Sequence, residues 1–459
     1  MFSFRKNGKK DGDAKHYFVG VYISSSARKL EAALISSDGS HPGAALTLEK
    51  SASFDLPEEI ASAYEKIVES VRDEHDAEIL KSKVNGEKKD DFEQFFSKSS
   101  TAKRESERSS TDGSLVKLAS LRAMTTSIQE EAISVLLEEA NLKPNDVVAV
   151  AVNDPGVWVS PSEWSQKETW YSISSGKLLA RRTGMNVIDS FVPADWSPKG
   201  YGRAFLALPY WILLSSKEKA RLVLDVGETA RWTYLPAAKS KDSWSQTYYR
   251  EVAPCGSILN FFTRQATKGA TLVDLGGKLS VQGRSPNELL DFWRDAQQKA
   301  RCIDDLPQRY YTTSLSGTFN ELFYFDTLKL TPPRKFSTLD ALCGAVYWIA
   351  EEIKASLDSY HFSEPYEIVL TGATRQNGLL FSRLSTLIKQ NAFHRLSEYG
   401  FIEDSFDGAA AATLGILFAA NIPAAWPELH GVKSPALLGR ASFGTLESSR
   451  RLLHFANRK

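Results

Sequence analysis

Three strand-to-turn segments constrain what this chain can fold into more than any other feature. They read "GVYISSSARK" (Gly20–Lys29), "LDVGETARW" (Leu224–Trp232) and "LTGATRQNG" (Leu370–Gly378). Each is an apolar, β-branched run that stops in small residues. A turn of this kind lets backbone N–H groups come close to a phosphate or a nucleotide. One alone says little, because small residues usually serve only the turn. Three in order, one in each half and one late, form a pattern.

The elements around them alternate between strand and helix. "HYFVGVYISS" and "KLEAALISS" read as a hairpin, "AALTLEKSASF" as a third strand, and Pro57 starts an amphipathic helix with Ile60, Tyr64, Ile67 and Val71 on one stripe. A long helix is predicted over roughly Ser114–Ala140, followed by the buried strand "VVAVAV" (Val147–Val152). "MNVIDSF" and "RLVLDVG" are further strands, and "WTYLPA" is placed to pair with the second as a hairpin. A chain of 459 residues is too long for one core. Two hairpins, each opening a half, predict an α/β protein of two related lobes.

Composition excludes several function classes. Lys+Arg and Asp+Glu both number 56, so there is no basic surface for nucleic acid or an anionic membrane. Cys255, Cys302 and Cys343 are widely spaced and read as reduced thiols without metal-ligand spacing. The basic start "MFSFRKNGKKDGDAK" lacks an apolar core, so no secretory signal is expected and the chain is placed in the cytoplasm. The uncharged run from Gly408 to Trp426 is expected to be a buried helix rather than a membrane span. Residues 81–113 are rich in Lys, Glu and Ser. They read as a disordered surface insertion, with a phosphorylatable tether or protein-docking segment as the sharper alternative.

The stretch "SSGKLLARRTGMNVIDSFVPADWSPKGYGRAFLALP" resembles the anhydro-N-acetylmuramic acid kinases and the related levoglucosan kinases. The family carries "LA–TG–V–DFR–D–AAGGQGAPL" at this place. "VAPCGSILN", "DLGGKLSVQG", "TLDALCGAVYWIAEEI", "LTGATRQNGLL" and "LLGRASFG" match further family segments in order. The resemblance implies a two-lobed actin-like ATPase (sugar-kinase) fold with an interlobe cleft. Residues 1–204 plus 405–459 would form one lobe and 205–404 the other. It implies ATP and Mg2+ as cofactors, a small sugar as substrate and a homodimer. Asp195 falls on the catalytic aspartate, which would deprotonate a water attacking the anomeric carbon. Ser24, Ser25, Ser26, Asp225, Gly227, Thr371, Gly372 and Ala373 fall on the nucleotide-binding turns. Gly156, Gly200 and Gly202 fall on sugar-binding positions. Asp225 would hold magnesium through water, and no direct metal ligand is expected.

The departures from the family lie mostly in the chemistry. Its first turn, "SGTSLDGID", is Ile23–Glu31 here, with Ser24 for the first Gly and Arg28-Lys29 for the Asp-Gly pair. Its second turn, "NIGGIAN", has Glu228 for a Gly, a charge that repels phosphate. The Arg before the catalytic Asp is Val192, and the late "EA" is Gly408-Ala409. Asp195 reads either as a general base or as a loop carboxylate that caps its turn or pairs with Lys199 or Arg203. Gly200, Gly202, Gly276 and Gly277 read as turn-shaping residues, and Gly372 as an adenosine contact. Trp196 and Tyr201 either fill the sugar pocket or stack on a different sugar face. Three functions remain open. The departures favour a degenerate, weakly active or non-catalytic member kept as a binding or regulatory module. The second is an active kinase of a 1,6-anhydro sugar, and the third an actin-like ATPase without a sugar.

Overall fold

The computed structural model describes residues 3–4, 15–41, 43–68, 113–159, 169–196, 204–240, 242–301, 335–389 and 392–457. Nearly all of the insertion expected at 81–113, with Cys302, Lys199, Gly200, Tyr201, Gly202 and Arg203, lies outside them.

Two sheets follow the same plan. The first holds β1 (Ser3–Phe4), β2 (His16–Ile23), β3 (Lys29–Ser37), β4 (Ala45–Asp55), β5 (Val147–Asn153), β8 (Val187–Asp189) and β14 (Arg440–Ser442). β6 (Val157–Val159) and β7 (Thr169–Tyr171) form a separate hairpin. The strand order in the first sheet is β1-β4-β3-β2-β5-β8-β14. The second holds β9 (Ala220–Val226), β10 (Thr229–Leu235), β11 (Tyr248–Pro254), β12 (Tyr366–Thr371) and β13 (Phe393–His394), in the order β11-β10-β9-β12-β13. In each, an antiparallel three-strand meander is followed by two strands parallel to its first member. The same five-strand plan occurs twice, as the two predicted hairpins imply.

Sequence patterning explains the layers. All seven residues of β5, "VVAVAVN", are buried, as suits a parallel strand covered on both faces. Helix α1 (Gly113–Glu139) and the helical residues 58–68 supply Leu121, Ile133, Leu136, Ile60 and Tyr64 to one face of the first sheet. Helix α2 (Phe191–Trp196) follows β8. In the second lobe, α3 (Gly256–Ala266), α4 (Thr338–Asp358) and α5 (Gly378–Leu387) share a core with β9, β10 and β12. A capping box between Ser337 and Asp340 starts α4, and the Asn377 side chain caps α5.

Helix α6 (Phe406–Ala419) takes in the uncharged run from Gly408 as far as Ala419, and it is buried against β2, β3 and β5. No helix among the described residues is long and apolar enough to cross a membrane. Its small residues permit an unusually close approach. A Cβ placed on Gly20 would collide with Gly408 O and Ala412 N and come within 2.8 Å of Ala412 Cβ. The helix Ala207–Leu214 is wholly buried and contributes to a core that joins the sheets, with Phe191, Val223, Val369 and Phe406. Turns from both sheets therefore meet over a shared apolar floor.

Candidate functional site

The first turn closes on itself. Between β2 and β3, the Ser24 N–H donates to Lys29 O (2.9 Å) and the Ala27 N–H to Ser24 O (2.8 Å). The Ser24 hydroxyl oxygen accepts from the backbone N–H groups of Arg28 (3.3 Å) and Lys29 (3.0 Å). The serine on the family's first glycine position thus takes up N–H groups of its own turn. Ser25 and Ser26 sit half-buried at the tip. Both cations of the turn are also engaged. Arg28 pairs with Glu58 (2.6 Å) and Glu65 (2.9 Å), and Lys29 with Asp404 (3.0 Å).

In the second turn, Gly227 and Glu228 join β9 to β10, whose register sets Arg231 directly opposite Asp225. Arg231 Nε donates to Asp225 Oδ2 at 2.6 Å. The Asp225 side chain keeps 9% of its surface exposed and that of Arg231 32%. The carboxylate expected beside magnesium therefore already holds a guanidinium, and Arg231 is the more exposed side chain of the pair.

The third turn presses on the second. Thr371 ends β12 opposite Asp225, and Gly372 follows with φ +90°. A Cβ on Gly372 would overlap Asp225 Oδ1 and stand 2.5 Å from Gly227 N. Ala373 begins a short helical turn to Gln376. A Cβ on Gly256, at the start of α3, would lie 2.7 Å from Thr374 Oγ1 and 2.8 Å from Gly227 O. Asp225, Gly227, Gly256, Thr371 and Gly372 are thus one close-packed cluster. Sequence reading placed all but Gly256 at the site. The signal for Gly256 is its position as the only glycine in "VAPCGSILN", at a strand-to-helix junction.

Glu228 has two roles here. Its carbonyl accepts from Cys255 N–H (2.8 Å), Ser257 N–H (3.3 Å) and Ser257 Oγ (3.0 Å), which caps α3. Burial pushes its carboxyl up to about 7, against the pull of Arg264 and Arg28. Cys255 and Cys343 are free, buried thiols.

The junction between the sheets holds further acids that sequence reading passed over. Glu31 Oε2 accepts from the N–H groups of Asp407 (2.9 Å) and Gly408 (3.3 Å). The Tyr210 hydroxyl donates to Asp407 Oδ1. Burial, then the Asp407 charge, push the Glu31 carboxyl well above its usual range. Burial and the Asp225 charge push Asp407 up to about 6. Arg375 donates to Asp404 (2.7 Å) and to Gly372 O (2.9 Å), so Asp404 ties Lys29 of the first turn to Arg375 beside the third. A faint signal existed: Asp407 is the lone carboxylate heading a run of uncharged residues.

The remaining expected positions lie elsewhere or are partly described. Asp195 belongs to α2, after β8. Gly156 (φ +60°) packs under the Trp170 indole, and its carbonyl accepts from Tyr64 OH at 3.0 Å. Asp154 holds that loop by accepting from Gly156 N–H (2.9 Å) and Ile173 N–H (3.1 Å). Asp274 accepts from the N–H groups of Leu279 and Ser280 and so shapes the Gly276–Gly277 turn. That turn lies against Asn377, whose Oδ1 would stand 2.8 Å from a Cβ on Gly277.

A family model described as anhydro-N-acetylmuramic acid kinase matches residues 104–444. The anhydro-N-acetylmuramic acid kinase of Synechococcus elongatus is 24% identical over 280 residues, covering 60% of this chain and 70% of that protein. The one from a Cyanothece species is 24% identical over 341 residues, covering 71% and 84%. Among solved structures, the activator of 2-hydroxyisocaproyl-CoA dehydratase from Clostridium difficile aligns over 87% of this chain and 94% of its own. Its identity is 9% and its TM-score 0.36.

Proposed function

The chain belongs to the anhydro-N-acetylmuramic acid kinase family, and from that membership we propose that it is a diverged member without magnesium-dependent phosphoryl transfer, retained as a binding or regulatory module. The ion pair between Asp225 and Arg231 carries this reading. Magnesium demands oxygen ligands or ordered waters in near-octahedral array. A nearly buried carboxylate that already accepts from a guanidinium at 2.6 Å offers neither, and the two positive charges would repel each other. The residues present do not fit the metal.

The first turn supports the same conclusion. Phosphoryl transfer depends on donors aimed at developing charge on the phosphates. Two of the turn's backbone N–H groups go to the Ser24 hydroxyl, and its two cations go to carboxylates. The third turn is different: Gly372, at φ +90°, packs against Asp225 and Gly227 with no room for a side chain, and none of its groups is taken by a cation–carboxylate pair of the first turn.

The test is a product assay on the purified full chain with Mg·ATP and 1,6-anhydro-N-acetylmuramic acid or levoglucosan. The Asp195→Asn variant serves as the blank. The expected result is no phosphorylated sugar above the blank. Turnover that Asp195→Asn abolishes would establish an active anhydro-sugar kinase with Asp195 as base. Phosphate release without any sugar would establish an ATPase.

A further inference from the structure

The place where a divalent cation would meet the nucleotide is filled from within the chain. We infer that this protein binds a nucleoside diphosphate or triphosphate without a divalent cation, the Arg231 guanidinium supplying the positive charge beside Asp225. The inference rests on the reading above, since it names the ligand class that a retained binding module would take.

The pair is built into the hairpin. β9 and β10 register Asp225 against Arg231, so each side chain reaches its partner without a loop having to order. Only Nε makes the short contact to Asp225, at 2.6 Å. The side chain retains 32% of its surface while Asp225 retains 9%. Of the two side chains, the arginine is the one more open to an approaching anion. A guanidinium engaged through Nε still carries terminal N–H groups in a planar fork, which matches two phosphate oxygens.

The neighbouring backbone completes the site. Gly372 packs onto Asp225 and Gly227 so closely that any side chain there would overlap both. The third turn and the Asp225–Arg231 pair are thereby packed together. The acids nearby weaken its field less than their number suggests. Asp407, Glu31 and Glu228 are half-buried, and burial shifts each carboxyl upward. Burial raises the Tyr22 and Tyr210 hydroxyls above the usual phenol range, so neither adds charge near neutral pH. A magnesium ion brought to the same spot would face Arg231, so added metal gains nothing there.

Calorimetric titration of the full chain with ADP and with ATP tests this, once in EDTA and once in excess magnesium chloride. Affinity in EDTA should equal that in magnesium within about threefold, whereas a metal-dependent site loses far more. Arg231→Lys keeps the charge but removes the fork, and should weaken binding in EDTA by about tenfold. A thermal melt without ligand verifies that the variant is folded. Binding seen only in magnesium overturns the inference. So does an absence of binding in both buffers, or an unchanged affinity in a folded Arg231→Lys protein. These outcomes are separable from the product assay. Sugar phosphorylation would overturn the non-catalytic reading, and a silent titration with no product would overturn only the nucleotide.

Discussion

Glu31 and Asp407 meet at the junction of the two sheets, where the Glu31 carboxylate accepts the Asp407 backbone N–H at 2.9 Å. Burial dominates the shift of both acids, and each lies within the field of another carboxylate. The folded protein thus holds protons that the unfolded chain releases. A raised acid stabilises the fold below the ordinary carboxylate range, near 4. That stability is lost as pH rises through the folded value, about 6 for Asp407. The melting temperature should fall as pH rises from about 4 through 6 to 7. Glu31→Gln keeps an oxygen for both N–H groups and should flatten the fall. Melts of the two proteins across that range check it. Superimposable profiles would mean that Glu31 is already ionised in the folded state.

Gly372 and Gly269 share a positive φ, +90° and +84°, but not an environment. A Cβ on Gly269 meets nothing within 4 Å, whereas one on Gly372 overlaps Asp225 and Gly227. Gly269→Ala should cost only left-handed strain, about 1–2 kcal/mol. Gly372→Ala adds the clash and should cost about 3 kcal/mol or more. Urea unfolding measures both. Equal costs would mean that the third turn can move away from Asp225.

The duplicated sheet plan was legible because hairpins and small-residue turns are local signals. So was α6, whose run of alanines has no other place than a core. The Asp225–Arg231 pair was within reach, since a β9–β10 hairpin was expected. It needed the register as well, and register depends on how the turn at Gly227–Glu228 closes. Ser24 was placed on a nucleotide-binding turn, yet its hydroxyl bonds its own turn, a local alternative that composition cannot rank. Glu31 and Asp407 lie 376 residues apart, and no pattern along the chain joins them. Gly408, by contrast, gains a reason only in three dimensions. A Cβ on it would stand 3.1–3.2 Å from the backbone of Glu31 and Ala32, where α6 crosses β3.

That crossing yields its own test. A methyl on Gly20 would run into the backbone of Gly408 and Ala412, which cannot rotate aside as a side chain would. Helix α6 would have to lift from β2, β3 and β5 together, since it packs on all three. Gly20→Ala should therefore cost about 3 kcal/mol or more, at the upper end for overpacking. Chemical unfolding of the variant against the parent measures it. A loss below about 1 kcal/mol would show that the helix–sheet spacing yields easily.

Removing Arg231 should be costlier than removing the pair. Arg231→Ala leaves the Asp225 carboxylate nearly buried, with no counter-ion on the facing strand. Stranding one member of a buried pair typically costs about 3–5 kcal/mol, and the partial exposure of Arg231 places this case toward the lower end. Adding Asp225→Asn removes the stranded charge while keeping the shape of the side chain. The double variant should then recover part of the loss, although it lacks both partners. A four-protein cycle of urea unfolding isolates the coupling, expected to favour the pair by about 1–3 kcal/mol. If the two losses simply add, Asp225 is not held by Arg231 in solution. The carboxylate would then be free for a metal, and the cation could not serve in its place.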